Sequence, residues 1–466
     1  MIEKKRPVSR KVVLAIIGTG LLAFTGILTE TSMNVTFPDL MQQFGLPIGV
    51  VQWLTTGYLL TVSLVMTISA VLKAKFPPRT IYMIALISFL IGNVIAILSP
   101  NFQVLLVGRI IQGVGTGVIT TLIFNIILEN VPLSQIGRYM GIGVMILSLA
   151  PAFGPIFGGV VAYFFGWREI FWFILPILLI SLVIAYKNIP NQHTVDREYV
   201  FDFLAFGLFS TAMIAIISAL SVLEHGTFSP LLLGLSALAV VAFGAFVYRS
   251  GHTTKQFLNI SILRNRATLF ALLGYALFQM TNLAVNFTIP TYIQLVLGAT
   301  TLAAGFALMP GSLLGALLNP YYGRMFDRIG ARKPLLIGNT AFVIVMVLYA
   351  MFAQNLTVFL MTFFYALLTL GRNLAFGTSM TAGLAQLSQK ERGDGNAIFN
   401  TSQQFTGAVG TTVAALFMHI DGHSSVSVAR QTATGAQHVF LFLVGVGLIN
   451  YLWFALFLKN EKKLDV

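Results

Sequence analysis

Fourteen long apolar runs dominate this sequence and fix what it can become. A spanning helix needs about 20 mainly apolar residues. Such runs fall at 12–36, 49–72, 80–98, 103–128, 137–162, 167–187, 201–222, 230–249, 267–296, 301–323, 334–353, 356–386, 396–419 and 437–458. Continuous apolar runs do not alternate as barrel strands must. The expected class is therefore an all-α polytopic membrane protein, with a possible break in the long twelfth segment. Charged residues make up only 9% of the 466, against about 25% in soluble domains. That is too few to cover the surface of a soluble enzyme, and a disordered scaffold is excluded on the same ground.

The net charge of +13 needs no nucleic-acid partner once the cations are placed. With the N-terminus inside, the cytoplasmic segments carry Lys4, Lys5, Arg6, Arg10 and Lys11, then Lys73, Lys75 and Arg79. They continue with Arg138, Lys187, Arg197, Arg249, Lys255, Arg264 and Arg266. Arg324, Arg328, Arg332, Lys333, Lys390, Arg392, Lys459, Lys462 and Lys463 complete the set. Outer loops hold Arg168 and Arg430, and Arg109 and Arg372 fall inside helices. An error of one helix would invert every later loop and destroy this bias. Both termini are expected in the cytoplasm. The apolar N-terminal run is too long for a cleavable leader and reads as a retained first helix.

Cysteine is absent, so no disulfide or thiolate chemistry is expected. No metal-ligand cluster and no GxxxxGK[ST] phosphate loop occurs, which argues against an ATP-driven pump. No cofactor is expected.

Gly108-Arg109 and Gly371-Arg372 stand 263 residues apart, and the loops AVLKAKFPPR (70–79) and GRMFDRIGARK (323–333) stand 253 apart. These offsets suggest a parallel repeat of two six-helix halves. The expected division is 1–187, an insert of two helices in 188–266, and 267–466.

Further motifs are GRIIQGVGTG (108–117), APAFGPIFGG (150–159), WREIFWFILP (167–176) and TETSMNVTFPDL (29–40). Together with GRMFDRIGARK, they resemble the fourteen-helix drug:proton antiporter family of the major facilitator superfamily, closest to its Gram-positive multidrug exporters. The resemblance covers nearly the whole chain. It implies two six-helix bundles plus two inserted helices in a bacterial cell membrane. It also implies proton-coupled export of lipophilic, often cationic compounds by a monomer. The sequence departs from the family pattern at Ala74, Pro77 and Pro78 in the loop after helix 2, and at Glu169 and Ile174 in helix 6. Thr29 stands where the helix 1 acid is usual, and the acid here is Glu30.

Glu30 is the leading functional candidate. A carboxylate inside a bilayer is costly and normally faces the bundle interior or a water-filled cavity. It is expected to carry the proton and attract cationic cargo; a structural salt bridge is the alternative. Arg109 shares one face of helix 4 with Gln112, Gly113, Thr116 and Gly117 and keeps its charge when buried. The resemblance implies that it supports proton transfer, against a structural hydrogen-bonding role. Pro151, Gly154, Pro155, Gly158 and Gly159 share a small-residue face that the resemblance implies is a conformational hinge; plain tight packing uses the same physics. For Gly323, Arg324, Asp327, Arg328 and Arg332 the resemblance implies a charge latch that stabilises the outward-facing state; a solvated topology loop is the alternative.

Arg372, with Phe376, Ser379 and Met380 on its face, is expected to bind an anionic group, pair with Glu30, or hold structure. Asn34, Gln279, Asn282, Asn286 and Gln294 are pathway candidates, with interhelical hydrogen bonding equally able to explain them. His438 reads as interfacial, and Asp202 and Glu224 as structural acids solvated at the membrane interface. Thirty-nine Phe and sixteen Met residues suit an adaptable greasy cavity without naming a substrate. Export of a physiological metabolite, peptide or lipid, and a non-transporting receptor or assembly subunit, are the competing functional readings.

Overall fold

The computed structural model describes residues 8–132, 135–190, 200–223, 229–253, 257–389, 391–420 and 425–460. Fourteen helices in it are long enough to cross a membrane. They are α1 (Arg10–Phe44), α2 (Ile48–Thr67), α3 (Pro78–Ile97), α4 (Phe102–Asn130), α5 (Ile136–Phe164), α6 (Glu169–Asn188) and α7 (Phe203–Leu223). The rest are α8 (Pro230–Ser250), α9 (Arg266–Leu295), α10 (Thr301–Ile329), α11 (Arg332–Phe352), α12 (Val358–Ala385), α13 (Arg392–Phe417) and α14 (Val428–Asn460). α1 passes through one 3-10 turn at Asn34–Thr36. The twelfth segment runs as one helix.

Thirteen of the fourteen are also apolar enough to span by composition. The exception is α13, which carries Asn396, Asn400, Ser402, Gln403, Gln404 and Thr406. Its polarity is tolerable because it is packed between α9 and α2, where side chains find protein partners in place of lipid.

Chain direction alternates, so residues 8–10 and 458–460 share one end of the bundle. That end is called the terminal end below, and the opposite one the far end. Helices α1–α6 pack among themselves in the pairs α3·α4, α1·α5, α2·α4, α1·α6, α1·α4 and α3·α6. Helices α9–α14 repeat the same set eight places on: α11·α12, α9·α13, α10·α12, α9·α14, α9·α12 and α11·α14. The two groups meet along α5·α10 and α2·α13.

Small residues set these approaches, as they must where lipid removes the hydrophobic drive between helices. A Cβ on Gly92 of α3 would stand 2.6 Å from the Gln112 amide nitrogen of α4, and one on Gly338 of α11 would stand 2.8 Å from Ala375 Cβ of α12. The adjacent residues are Asn93 and Asn339. Asn93 Nδ2 donates to the Phe171 carbonyl at 2.9 Å, and Asn339 Nδ2 to the Gly447 carbonyl at 2.9 Å. The tripeptide Ile-Gly-Asn at 91–93 and 337–339 therefore marks the repeat by equivalent bonds to α6 and α14. It is a sequence signal that the Gly-Arg spacing alone does not exploit.

Helices α7 and α8 pack on each other, and α7 also touches α13 and α2. Ile217 of α7 is buried with Leu59 of α2, Leu283 of α9 and Ala408 of α13. The pair thus covers the α2·α13 seam. At their terminal end Phe257 collects Phe201, Phe206, Phe209 and Phe246 in edge-on ring contacts of 5.7–5.9 Å.

The expectation that Asp202 is solvated at the interface is corrected here. Asp202 is buried, receives Arg249 Nε at 2.8 Å, and caps α7 through the Ala205 amide at 3.1 Å. Burial pushes the carboxyl pKa up, but the Arg249 hydrogen bonds and the Ala205 and Leu204 amides outweigh it, so the net shift is downward. Its stabilisation is then complete above the unfolded carboxyl value of about 3.9 and lost as pH falls through the lower folded value. D202N is expected to lower stability by about 1–2 kcal/mol at pH 7, since Arg249 stays partly hydrated. Thermal unfolding in detergent should show the gap to wild type narrowing toward about pH 3. Glu224 lies outside the described residues.

Candidate functional site

The site grows from α1. Thr25, Thr29, Thr31 and Ser32 return their hydroxyls to carbonyls one turn back, within α1. That satisfies their polarity locally and leaves Glu30 as the ionisable group of the mid-helix. Glu30 is buried at 5% exposure. Among the described residues its carboxylate makes no hydrogen bond and no ion pair within 4 Å. It stands within electrostatic reach of Arg109 and Tyr58.

Arg109 is fully buried on α4. Its guanidinium lies 4.2 Å from the Tyr58 ring centroid, and Nη1 donates to Gln112 Oε1 at 2.8 Å. Nε reaches the Leu54 carbonyl at 3.4 Å, and Nη2 is buried without a partner. Gln112 Nε2 passes the network on to Asn93 Oδ1 at 3.1 Å. Tyr58 donates to the Gly26 carbonyl at 2.8 Å or shares its proton with Thr116 at 2.6 Å. Gly26 permits this, because a Cβ there would strike the Thr116 side chain. The fold therefore brings Glu30, Arg109 and Gln112 together around Tyr58. Tyr58 and Asn93 were missed from sequence: Tyr58 sits among apolar neighbours, and Asn93 is legible only through the Ile-Gly-Asn repeat. Asn34 accepts from Thr55 at 2.8 Å, with its amide nitrogen unpartnered.

The second cluster lies on α9 and α12. Asn286 Nδ2 donates to Asn282 Oδ1 at 3.1 Å, and Asn286 Oδ1 accepts from Tyr365 at 2.8 Å. Tyr365 also meets Ser312 of α10 at 3.2 Å and lies within electrostatic reach of Arg372. Arg372 Nη2 donates to Asn373 Oδ1 at 2.6 Å. Gln279 lies against Gly407 of α13 at 3.6 Å from a Cβ built there. The expected pairing of Arg372 with Glu30 is not formed. Arg372 belongs to the α9–α12 cluster, while Glu30 faces Arg109. Phe376 instead stacks on Tyr275 at 4.2 Å.

The small-residue motif of α5 divides between two neighbours, which corrects the single-face reading. Gly154 and Gly158 face α1: Ser32 Oγ donates to the Gly154 carbonyl at 2.9 Å, and a Cβ on Gly158 would stand 2.8 Å from Ser32 Cα. Pro155 and Gly159 face α10: a Cβ on Gly159 would stand 2.8 Å from the Thr301 carbonyl. Adjacent i, i+4 pairs are rotated by about 100°, so one motif serves both contacts. Pro151 is half-buried and lies inside the unbroken helix.

Contacts across the two groups gather at the far end. Gln294 Nε2 donates to the Val35 carbonyl at 2.8 Å, and Thr301 Oγ1 donates toward Asp39 at 3.3 Å. A cavity of about 650 Å³ opens there, lined by Asp39, Gln42, Tyr163, Gln294 and Thr301 among others. Along the α2·α13 seam Thr56 and Thr412 meet at 3.3 Å, and Ser63 reaches the Thr401 carbonyl at 2.9 Å in the terminal half of both helices. Gln294 thus acts as an interhelical bond rather than a free pathway group. Toward the terminal end Val144 and Met145 of α5 and Leu317 and Tyr321 of α10 are exposed, and a Cβ on Gly141 or Gly323 would meet nothing within 4 Å.

At that end Gly323, Arg324, Asp327, Arg328 and Arg332 are exposed. Asp327 makes no ion pair among the described residues. In the loop after α2, Lys73 pairs with Glu129 of α4 at 2.8 Å. His438 is exposed near Phe417. Among the described residues no group of three metal-ligating side chains occurs.

The family model described as Major Facilitator Superfamily matches residues 19–411 and again 271–465. The chain is 32% identical to the lincomycin resistance protein LmrB of Listeria innocua, over 99% of this chain and 98% of that one. It is 30% identical to LmrB of Bacillus subtilis over 97% of each chain. A multidrug resistance protein B homolog of Mycobacterium tuberculosis is 26% identical over 86% of this chain and 75% of its own length. In fold it is similar to a bacterial homolog of the human lysosomal transporter Spinster, with a TM-score of 0.69 at 14% identity, covering 98% of this chain and 100% of that one. The peptide-transporter-family protein PepTSo gives 0.70 at 15% identity over 97% and 98%. The chain is a multi-pass membrane protein with the major facilitator fold, and it belongs to the Major Facilitator Superfamily beside drug-resistance transporters of Gram-positive bacteria.

Proposed function

We propose that this protein is a proton-coupled exporter of lipophilic, often cationic compounds in the bacterial cell membrane. It works as a monomer by alternating access of two bundles, 1–187 and 267–466, with 188–266 as an inserted pair. The observation that carries the reading is Glu30. It is a buried carboxylate that makes no hydrogen bond among the described residues, within electrostatic reach of a fixed cation at Arg109. A carboxylate in this setting binds either a proton or a cation and gains from each. Competition between the two is the minimal chemistry of exchange. The printed names of the LmrB and multidrug resistance relatives support the drug-export part of the reading.

In this reading the terminal end is cytoplasmic and the far end external. The α5–α10 approach, tight at the far end and with open space beside Gly141 and Gly323 toward the terminal end, then corresponds to an inward-facing state. Arg109 tunes Glu30 without itself titrating. Cargo passes Glu30, Asn34, Gln112, Gln279, Asn282, Asn286 and Arg372. Pro151, Gly154, Pro155, Gly158 and Gly159 let α5 shift between α1 and α10. Gly323, Asp327, Arg328 and Arg332 latch the terminal end in the outward-facing state. An exposed Asp327 with no ion pair among the described residues is what an inward-facing state requires of such a latch.

Purified protein in proteoliposomes tests the reading. Ethidium flux should follow an imposed pH gradient and collapse when nigericin dissipates it. Flux indifferent to the gradient would remove proton coupling, and no flux of any probe would favour a non-transporting role.

A further inference from the structure

We propose that Arg372 forms an oxyanion subsite that receives the carboxylate of lipophilic zwitterionic or anionic cargo. The inference deepens the exporter reading and rests on it. Two arginines are buried at equivalent places in the repeat, Arg109 after Gly108 and Arg372 after Gly371. Their surroundings differ. Arg109 has Glu30 within electrostatic reach, the Tyr58 ring at 4.2 Å, and two acceptors. Arg372 has one acceptor, Asn373 Oδ1. A guanidinium carries five N–H donors. Here Nε is buried without a partner, and Nη1 makes no hydrogen bond among the described residues.

No carboxylate of the described chain forms an ion pair with Arg372; the pairs present are Lys73–Glu129 and Asp202–Arg249. A buried cation left without a counter-charge is strongly unfavourable. The open donors of Arg372 therefore await an acceptor from outside the chain. The neighbouring groups suit that role. Asn282, Asn286, Ser312 and Tyr365 are already hydrogen-bonded to one another, so their acceptors compete little for the guanidinium. The planar donor fork matches a carboxylate in two-point contact. Residue 372 also lies midway along α12, Val358–Ala385, at the depth of the hydrocarbon rather than of lipid headgroups. That favours the carboxylate of a cargo molecule over a lipid phosphate. Cargo with both charges would then set its cationic end toward Glu30 and its acidic end toward Arg372.

The test compares norfloxacin, which carries a carboxylate, with its ethyl ester, which does not, and with ethidium. Binding is measured by intrinsic fluorescence on protein in nanodiscs of phosphatidylcholine, with and without phosphatidylglycerol. Wild type should prefer the acid over the ester by roughly 10- to 100-fold, the usual worth of a charge-assisted hydrogen bond. R372Q should erase that preference, while R372K should keep part of it. Thermal unfolding in detergent, unchanged from wild type, reports that R372Q is folded. An acid-to-ester ratio that survives R372Q, or is absent in wild type, overturns the subsite. A preference seen in phosphatidylcholine alone and erased by phosphatidylglycerol assigns Arg372 to a lipid headgroup and overturns it equally. Ethidium flux under a pH gradient in proteoliposomes of the same purified protein separates this failure from failure of the exporter reading.

Discussion

E30Q should abolish gradient-driven ethidium efflux while leaving the protein folded, and the loss should be at least on the order of 100-fold. Glutamine keeps the shape and hydrogen-bonding capacity of the side chain but removes its charge and its proton. Glu30 makes no hydrogen bond or ion pair among the described residues, so the substitution strips no structural contact. It even removes the cost of holding a charge at low dielectric. A structural acid would behave oppositely: removing it would lower stability and spare coupling in whatever protein remained. E30D retains a titrating group on a shorter arm and should recover part of the activity. The readout is flux per folded protein in proteoliposomes, beside thermal unfolding in detergent. Full proton-dependent efflux by E30Q would falsify the coupling role of this residue.

Gly305 carries the second large effect. A Cβ there would fall within van der Waals contact of the Pro155 carbonyl and 3.1 Å from Gly159 Cα. Both obstacles are backbone, so no rotamer change relieves them. They lie on α5, across the contact that closes the far end. G305L should therefore penalise this closed state and leave a state with the far end apart unaffected. Overpacking costs about 1–3 kcal/mol, which converts to roughly a 5- to 150-fold shift in population. Flux should fall because turnover needs both states.

The chain has no cysteine, so V35C provides a labelling site on an otherwise unreactive background. Val35 is fully buried in this state, with its carbonyl bound by Gln294. G305L should raise its labelling rate by maleimide by about the same factor. Unchanged labelling with intact flux would mean that the α5–α10 approach does not decide which end is open.

Much of this organisation is written in the sequence because a bilayer reads only a few properties. Length and apolarity decide where helices lie, and the side on which lysine and arginine gather orients them. The alternating apolar segments and the Gly-Arg repeat were legible for that reason. α13 was legible too, although its polar residues make it the least apolar of the fourteen. Glu30, Arg109 and Arg372 stood out because charge at that depth is expensive enough to be rare.

What the linear chain left open are questions of which helix face meets which neighbour. Sequence spacing grouped the α5 glycines on one face; packing sends Gly154 and Gly158 to α1 and Pro155 and Gly159 to α10. Spacing left Asp202 as an interfacial acid; the return of α8 delivers Arg249 to it. Spacing left Arg372 three uses; tertiary structure sets it in the α9–α12 cluster and leaves its Nε without a partner among the described residues. The order of the residues was enough to set the number and succession of the helices, because each of those is a local exchange between side chains and solvent. Which buried charges have partners was settled only by packing, because partnership depends on residues tens of positions apart, such as Asp202 and Arg249, arriving within a few ångströms.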